Sequence, residues 1–172
     1  GGRSVTITDE ITNLGAHRAA HLVLYHLNFG WPLVSEQCRI GADPSPLSVT
    51  ARDADSEPGV EAWRSVPAPG DPDTPEQVLV HRLPVAQRIR YSVANPSLGI
   101  EVGVEFDSAQ LPVLHQWRLT RQREYVIALE PATAAAIDGR AAANRRGAVP
   151  FLEPDETRTT SVTFDFGRRD PR

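Results

Sequence analysis

The amino-acid sequence predicts an all-β protein built as an antiparallel β-sandwich. Short segments in which apolar and polar residues alternate recur along the chain, and clusters of turn residues separate them. Alternation with a period of two indicates a strand that is buried on one face, because successive side chains point to opposite faces. The 15 prolines limit the length of regular elements, and hardly any segment has the pattern of a helix. Many short strands with so little helix are typical of two packed antiparallel sheets.

The first part of the chain contains two predicted strands. Residues 4–12 alternate valine and isoleucine with polar side chains, which predicts a half-buried strand before a turn at 13–15. Residues 21–29 are dominated by leucine, valine and aromatic residues and lead into Gly-Trp-Pro, so we interpret them as a buried strand that ends in a turn. We expect residues 34–40 to continue the same sheet.

A long connection is predicted for residues 41–76, where Pro, Asp, Ser, Gly and Glu predominate. Proline cannot donate to a strand ladder, so we expect one short strand here, at 47–52. Trp63 lies in the middle of the connection and is expected to anchor it to the body of the protein. Connections of this length are either functional or disordered. Two interpretations therefore stay open, a rim or lid over a site and simple surface packing.

The second half of the chain has the most regular alternation. Residues 132–143 favour helix by composition, but Gly139 interrupts them, so we expect a short helix or a loop. The chain as a whole should contain about eight or nine strands in a single sandwich domain, residues 1–172. The predicted strands of this half are 77–83, 87–94, 100–106, 111–119, 124–130 and 158–166.

Composition narrows the classes of function. The net charge is −4 and the isoelectric point is near 5.7. These values argue against nucleic acid or an anionic membrane as a partner, because phosphate binding needs clustered lysine and arginine. No segment approaches the roughly 20 apolar residues that cross a bilayer. We therefore expect a soluble protein of the cytoplasm.

The cysteine and methionine contents add two expectations. Cys38 is the single cysteine, so we expect neither an intrachain disulfide nor a cysteine-based zinc site and interpret Cys38 as a small, inert hydrophobic residue. The sequence starts with Gly-Gly and contains no methionine. We therefore expect the chain to be part of a longer protein.

Polar residues on one predicted strand mark a candidate small-molecule site. In the segment 21–29, His26 and Asn28 share one face, and the opposite face is apolar. Polar groups beside an aromatic-rich strand are typical of a ligand site lined by a sheet. The alternative for His26 is a core histidine whose two ring nitrogens are hydrogen-bonded. For His81, which lies among apolar residues of another strand, we prefer that alternative.

Two later strands add three candidates. In the segment 111–119, His115 and Trp117 project from the same face. In the segment 124–130, Glu130 ends an otherwise apolar run just before a proline, where loss of solvation would raise the pKa of its carboxyl group. Core packing is the alternative interpretation for both His115 and Trp117.

Five segments together carry a family resemblance. They are 25–32 (Tyr-His-Leu-Asn-Phe-Gly-Trp-Pro), 116–117 (Gln-Trp), 125–133 (Tyr-Val-Ile-Ala-Leu-Glu-Pro-Ala-Thr), 144–147 (Asn-Arg-Arg-Gly) and 150–156 (Pro-Phe-Leu-Glu-Pro-Asp-Glu), followed by a terminal strand. In this order and at this spacing they resemble segments of the galactose mutarotase-like superfamily, and more narrowly of its DUF4432 branch, which is akin to aldose 1-epimerases.

This resemblance implies both a fold and a chemistry. The fold is a large antiparallel sandwich, of which residues 1–172 match about the C-terminal half. In aldose 1-epimerases a histidine acts as acid at the ring oxygen of the sugar and a glutamate acts as base at the anomeric hydroxyl, and His26 and Glu130 match these two residues. The family's further sugar-contacting arginine and histidine come from the earlier half. The implied partner is a small carbohydrate, no metal or other cofactor is implied, and a homodimer stays open.

The residue types suit this chemistry. The pKa values of glutamate and histidine can both be brought close to neutrality, where general acid–base catalysis works best. Asn28 would hydrogen-bond a sugar hydroxyl or orient the imidazole of His26. Trp117 would stack on the apolar face of a pyranose ring, with His115 as its polar neighbour.

Three functions remain after this step. The first is an aldose 1-epimerase-like isomerase, and the second is a non-catalytic carbohydrate-binding domain that keeps the pocket without the reaction. Sandwich folds bind sugars widely, so the fold alone does not choose between them. The third and weakest is a glycoside hydrolase, which would need a second carboxylate beside Glu130. Glu101 and Glu105 are the candidates for that carboxylate.

Overall fold

In the computed structural model of this protein, residues 3–168 are described. Within them the chain forms strands and two short helices, one of the 3₁₀ type at Ala54–Gly59 and one α-helix, α1, at Arg140–Arg145. The strands are β1 (Ser4–Thr12), β2 (Ala19–Ala20), β3 (Leu27–Gly30), β4 (Arg39–Asp43), β5 (Ser48–Ala51), β6 (Gln77–Arg82), β7 (Arg88–Asn95), β8 (Ile100–Asp107), β9 (Val113–Arg121), β10 (Glu124–Ala132), β11 (Phe151–Leu152) and β12 (Thr157–Arg168).

The strands of residues 3–168 assemble into two five-stranded sheets and one two-stranded pair. The first sheet has the order β1-β12-β8-β7-β4, the second sheet has the order β3-β10-β9-β6-β5, and β11 pairs with β2. All of these pairings are antiparallel. The prediction of an all-β antiparallel sandwich is therefore confirmed.

The hydrophobic core lies between the two sheets. Each core strand contributes alternate residues, as period-two alternation requires. In β8, for example, Val102, Val104 and Phe106 are buried. The buried core cluster consists of Phe29, Val34, Cys38, Ile40, Val66, Leu83, Ile89, Tyr91, Val93, Val102, Val104, Phe106, Leu111, Leu114, Ile127, Leu129 and Val162.

Trp63 ties the long connection to this core, as expected from the sequence. Its backbone carbonyl accepts hydrogen bonds from Gln116 Nε2 (3.0 Å) and Arg118 Nη2 (2.6 Å). Its indole ring packs edge-on against His81, with ring centroids 5.0 Å apart. The short strand expected near 47–52 is also present, as β5. The connection is thus held at its middle, while its role as a rim or lid stays a prediction.

The predicted strand at 21–29 is shorter than expected. Regular pairing with β10 covers only β3, and before it Leu24 forms an isolated bridge with Ala132. The backbone N–H of Tyr25 still donates to the carbonyl of Pro131 at 3.0 Å. Pro131 has no N–H to return that bond, so the ladder is interrupted at this point.

The expectation that residues 34–40 continue the same sheet is wrong. The chain turns after β3, where Val34 N donates to the carbonyl of Gly30 and Cys38 N donates to that of Ser35. It then enters the first sheet as β4, which pairs with β7. Cys38 itself is buried, and burial raises the pKa of its thiol to about 11, in agreement with an inert hydrophobic role.

Two further expectations are refined by the structure. Strand β1 has the predicted bounds, but all nine of its residues are exposed rather than half of them. It lies at the edge of the first sheet, where it pairs with β12. The helix α1 begins only after Gly139, whose φ of 95° lies outside the helical region.

Candidate functional site

The candidate residues lie on one face of the second sheet. In an antiparallel pair, residues directly opposite each other point to the same face. Glu130 lies opposite His115, while Ala128 lies opposite both Trp117 and Asn28. The alternate residues of β10, such as Leu129, belong to the core between the sheets. The outer face of the second sheet, defined as the face turned away from that core, therefore carries Asn28, His115, Trp117 and Glu130.

His26 and Glu130 are in direct contact at this face. His26 immediately precedes β3, where Leu27 pairs with Leu129, so the register brings it beside Glu130. The distance from His26 Nε2 to Glu130 Oε1 is 3.0 Å. The side chain of Glu130 is 2% exposed and that of His26 is 49% exposed. A buried carboxylate is thus capped by an imidazole that solvent and ligands can reach.

The environment of Glu130 favours proton exchange. Burial is the main cause that raises the pKa of its carboxyl group, and the nearby Glu76 carboxylate raises it further. The imidazole of His26 acts in the opposite direction without cancelling these effects. A carboxyl group with a raised pKa is a common property of catalytic acids and bases.

Trp117 lies beside His26 and is held by a second carboxylate. The centroids of the two rings are 5.9 Å apart, with an angle of 62° between the planes. Trp117 Nε1 donates to Glu76 Oε2 at 2.8 Å, and Arg52 Nη1 donates to Glu76 Oε1 at 3.0 Å. These two hydrogen bonds lower the pKa of Glu76, so Glu76 is a charged acceptor that fixes the indole ring.

Glu76 and Arg52 are not among the residues predicted from the sequence. Both lie at the ends of strands, with Arg52 just after β5 and Glu76 just before β6. Their surroundings in the sequence are rich in charged and turn residues, so no local pattern indicates that either residue belongs to a site. Only the pairing of β5, β6 and β9 brings them to the outer face beside Trp117.

His115 is the candidate that the structure encloses. Its side chain has no exposed surface, and neither ring nitrogen has a hydrogen-bond partner among the residues that the structure describes. Burial lowers the pKa of its ring to about 4, so it is neutral at pH 7. In this conformation no ligand reaches the ring, and His115 lies under the site as a neighbour of Glu130. Asn28, by contrast, is exposed on the same face.

His81 is a satisfied core histidine, in agreement with the preferred interpretation. Its Nδ1 is hydrogen-bonded to the hydroxyl of Tyr91 at 2.9 Å and its Nε2 to Gln116 Oε1 at 3.0 Å. Burial lowers its pKa to about 3, which keeps the ring neutral.

Glu101 and Glu105 do not supply a second carboxylate beside Glu130. Both belong to β8 in the first sheet, not to the sheet that carries Glu130. Arg90 binds them both, with Nη1 2.9 Å from Glu101 Oε1 and Nε 3.5 Å from Glu105 Oε1. The glycoside hydrolase hypothesis therefore loses the residues on which it depended.

Two further results concern metals and membranes. Within residues 3–168, no group of three or more His, Cys, Asp or Glu side chains is arranged to hold a metal ion. The helices of the same residues are too short and too polar to span a bilayer.

Comparison with known proteins agrees with this fold. Residues 1–166 match the model of the family described as domain of unknown function DUF4432, and the chain belongs to that family. A protein of Klebsiella pneumoniae, provisionally named an aldose 1-epimerase, superposes with a TM-score of 0.89 at 25% identity. That match covers 98% of this chain and 44% of the Klebsiella protein. No curated protein matches the sequence.

Two more distant structures show the same fold. A galactose mutarotase related enzyme from Lactobacillus acidophilus has a TM-score of 0.70 at 15% identity, over 98% of this chain and 59% of its own. A protein of Escherichia coli K12, also provisionally named an aldose 1-epimerase, has a TM-score of 0.63 at 18% identity, over 96% and 57%. The fold is therefore that of the galactose mutarotase-like proteins. This chain spans less than two thirds of each of these relatives.

Proposed function

We propose that this chain forms part of a carbohydrate isomerase that interconverts the two anomers of an aldose. The observation that carries the proposal is the 3.0 Å contact between His26 Nε2 and the buried Glu130 carboxylate on the outer face of the second sheet. The likeness to proteins named aldose 1-epimerases supports the class of reaction. The substrate would be a reducing sugar, and this chain would act together with the remainder of a longer sandwich.

The adjacency of the two side chains suits this reaction. An anomer is converted when the ring opens and closes again on the other face of the carbonyl carbon. Opening takes a proton from the anomeric hydroxyl, breaks the bond between that carbon and the ring oxygen, and adds a proton to the ring oxygen. Both oxygens are bonded to the same carbon, so the base and the acid must both reach one bound sugar. His26 and Glu130 point to the same face, and the sugar would take the place of their direct contact.

The protonation states balance over one cycle. With Glu130 ionised and His26 protonated, Glu130 accepts the proton of the anomeric hydroxyl while His26 donates its Nε2 proton to the ring oxygen. Both side chains are then neutral. Rotation of the aldehyde group and the reverse transfers close the ring and restore the starting pair. Burial raises the pKa of Glu130, which makes its carboxylate a stronger proton acceptor.

Neighbouring side chains would bind the sugar. Trp117 would receive the apolar face of the ring, because its indole is fixed by Glu76 and lies 5.9 Å from the ring of His26. Asn28, exposed on the same face, would hydrogen-bond a hydroxyl group. A non-catalytic sugar-binding domain would use the same face without proton transfer, so the functional test must separate binding from turnover.

Substitution of the carboxylate tests the proposal. In the full-length protein, Glu130→Gln should lower the rate of anomer interconversion by about 10²-fold or more, because general-base catalysis is lost. The rate is measured by polarimetry and by exchange NMR with a panel of aldoses, and saturation-transfer NMR reports sugar binding. Glu61→Gln, an exposed position in the long connection, is the matched control. Unchanged turnover in Glu130→Gln would eliminate the proposed role, and binding without turnover in the wild type would favour the sugar-binding domain.

A further inference from the structure

A cleft separate from the candidate site lies between the helix α1 and the two-stranded ribbon of β2 and β11. Its volume is about 660 Å³. Its lining residues are Arg18, Ala19, Ala20, Arg140, Ala141, Asn144, Val149 and Phe151. None of them is among the candidate residues His26, Asn28, His115, Trp117 and Glu130. The proposed function therefore gives this cleft, named here the ribbon–helix cleft, no role.

The ribbon turns one of its faces to the cleft. Phe151 lies opposite Ala20 in the pairing of β11 with β2, so the two side chains point to the same face. Arg18 precedes Ala20 by two residues and continues this face. The guanidinium of Arg18 lies over the ring of Phe151, with its central carbon 4.2 Å from the ring centroid. Stacking of this kind fixes the plane of the guanidinium and leaves the N–H groups at its edge free for a ligand.

The helix supplies the opposite wall. Arg140 and Asn144 are four residues apart in α1, which places them on the same side of the helix. Both of them line the cleft. The residue between them that also lines it is Ala141, whose short side chain leaves space open. The ribbon–helix cleft thus has one guanidinium on each wall and room between them.

Both guanidiniums lack a counter-charge. Within residues 3–168, neither Arg18 nor Arg140 forms an ion pair. Asp138 is the only acid in the segment 133–152, which contains the helix and β11. Its two carboxylate oxygens already accept from Arg146, at 2.6 and 2.8 Å. Positive charge therefore remains in the cleft, although the protein as a whole carries a net charge of −4.

This arrangement suits a phosphate group. Guanidiniums bind phosphate through charge-assisted N–H···O hydrogen bonds. A phosphate monoester carries a charge of about −1.5 to −2 at pH 7, which matches two guanidiniums, whereas a carboxylate would leave one of them uncompensated. The cleft is much larger than a phosphate group, and its volume is typical of sites for small molecules.

We infer that the ribbon–helix cleft binds a phosphorylated small molecule. Arg18 and Arg140 would hold the phosphate group from the two walls. Asn144 would hydrogen-bond a polar group next to the phosphate, and Val149 would contact an apolar part of the ligand. This inference is independent of the proposed function, because no residue of the cleft takes part in the proposed proton transfers.

The test measures phosphate binding to the full-length protein by isothermal titration calorimetry. Inorganic phosphate and glucose 6-phosphate are the probes. Arg18→Gln and Arg140→Gln should each lower the affinity for both probes by about tenfold or more, because charge-assisted hydrogen bonds are lost. Arg145→Gln is the matched control, since it removes the same charge from the same helix at an exposed residue outside the cleft lining. It should change the affinities less than about twofold.

A second variant blocks the cleft and keeps every arginine. Ala141→Leu should fold, because residue 141 is exposed and leucine favours helix. Its longer side chain would occupy the space between the walls, so it should also lower the affinity for glucose 6-phosphate by about tenfold or more. Far-UV circular dichroism and thermal unfolding check that each variant is folded.

Three outcomes would overturn the inference. The first is a wild-type protein that binds neither probe, or whose affinity is unchanged in Arg18→Gln and Arg140→Gln. The second is an equal loss of affinity in Arg145→Gln and Arg140→Gln, which would indicate diffuse attraction to the positive charge of the helix. The third is weaker binding of glucose 6-phosphate than of inorganic phosphate, which would show that the cleft does not accept the rest of a ligand. Failure of the proposed function appears elsewhere, as unchanged turnover in Glu130→Gln.

Discussion

The outer faces of the two sheets both carry charged side chains, but these side chains differ in their burial and in their contact partners. On the first sheet, Arg90 lies between Glu101 and Asp165, with a 2.9 Å contact to each, and its own side chain is 32% exposed. On the second sheet, Glu130 is almost fully buried and its contact is a histidine. A neighbouring guanidinium does not raise the pKa of a carboxyl group toward neutrality. Burial of a carboxylate does so, and that difference distinguishes a site from a solvated surface.

Substitution of His26 should give the largest difference between the two faces in the effect on the rate of anomer interconversion. His26→Gln should lower kcat/KM for anomer interconversion by about 10²-fold or more, because the proposed acid at the ring oxygen is lost. It should also raise the pKa of Glu130, since His26 is the cause that lowers it. The pH dependence of the rate measures both effects, and the limb that reports Glu130 should move to higher pH.

Arg88→Gln is the control on the first sheet. The side chain of Arg88 is 80% exposed and pairs with Glu105, so its loss should leave the rate and its pH profile unchanged. Equal effects of the two substitutions would mean that His26 contributes no more than a surface charge.

The second test concerns His115, which is buried on the outer face beside Glu130. Its pKa is about 4 in the folded protein and near 6.5 in an unfolded chain. Between these values the unfolded chain binds the proton and the folded protein does not, so stability is complete above pH 6.5 and falls as the pH decreases toward 4. The loss is on the order of 3 kcal/mol at pH 4. His115→Leu should remove this dependence, which denaturant unfolding at pH 7, 5.5 and 4.5 measures.

The control for His115 compares how the free energy of unfolding changes with pH in the two proteins, rather than its absolute value. Protonation of carboxylates destabilises the wild type and the variant alike, so that contribution cancels in the difference between them. His81, whose pKa is about 3, is present in both proteins and cancels in the same way. Identical pH dependence in the two proteins would show that the ring of His115 reaches solvent or a partner in solution.

The smallest effect is expected from Glu76, the residue that fixes Trp117. Glu76→Ala should weaken sugar binding, seen as KM, by about tenfold, because the charged hydrogen bond that holds the indole is lost. Glu76→Gln keeps an acceptor for Trp117 Nε1 and should change KM less, while it lowers the pKa of Glu130 by removal of the negative charge. Glu105→Gln on the first sheet should alter neither quantity. A KM that is equal in Glu76→Ala and the wild type would contradict the positioning role.

Much of the fold could be predicted from local pattern. Alternation in β8, with Val102, Val104 and Phe106 inward, is a property of neighbouring residues, and it gave the strand and its buried face together. The same pattern at 21–29 gave the correct faces but the wrong length. The break in that strand depends on Pro131, which lies about a hundred residues away in the sequence. The local pattern of residues 21–29 therefore cannot reveal it.

Exposure of β1 was unpredictable for a related reason. Its alternating valine and isoleucine residues have the pattern of a half-buried strand, yet Val5 is 56% exposed and Ile7 is 41% exposed. Whether an apolar face is buried depends on what packs against it. That depends on the extent of the second sheet, which no residue within β1 specifies.

For the candidate site, the sequence by itself determined that His26 and Asn28 share a face, that His115 and Trp117 share a face, and that Glu130 follows an apolar run. These relations depend on the twofold repeat of a strand, which is set by backbone geometry. Only the tertiary structure decided that the residues belong to one outer face, that Glu130 is buried 3.0 Å from His26, and that Glu76 fixes Trp117. Strand register and burial arise from contacts between residues far apart in the chain, so they exist only once both sheets have assembled.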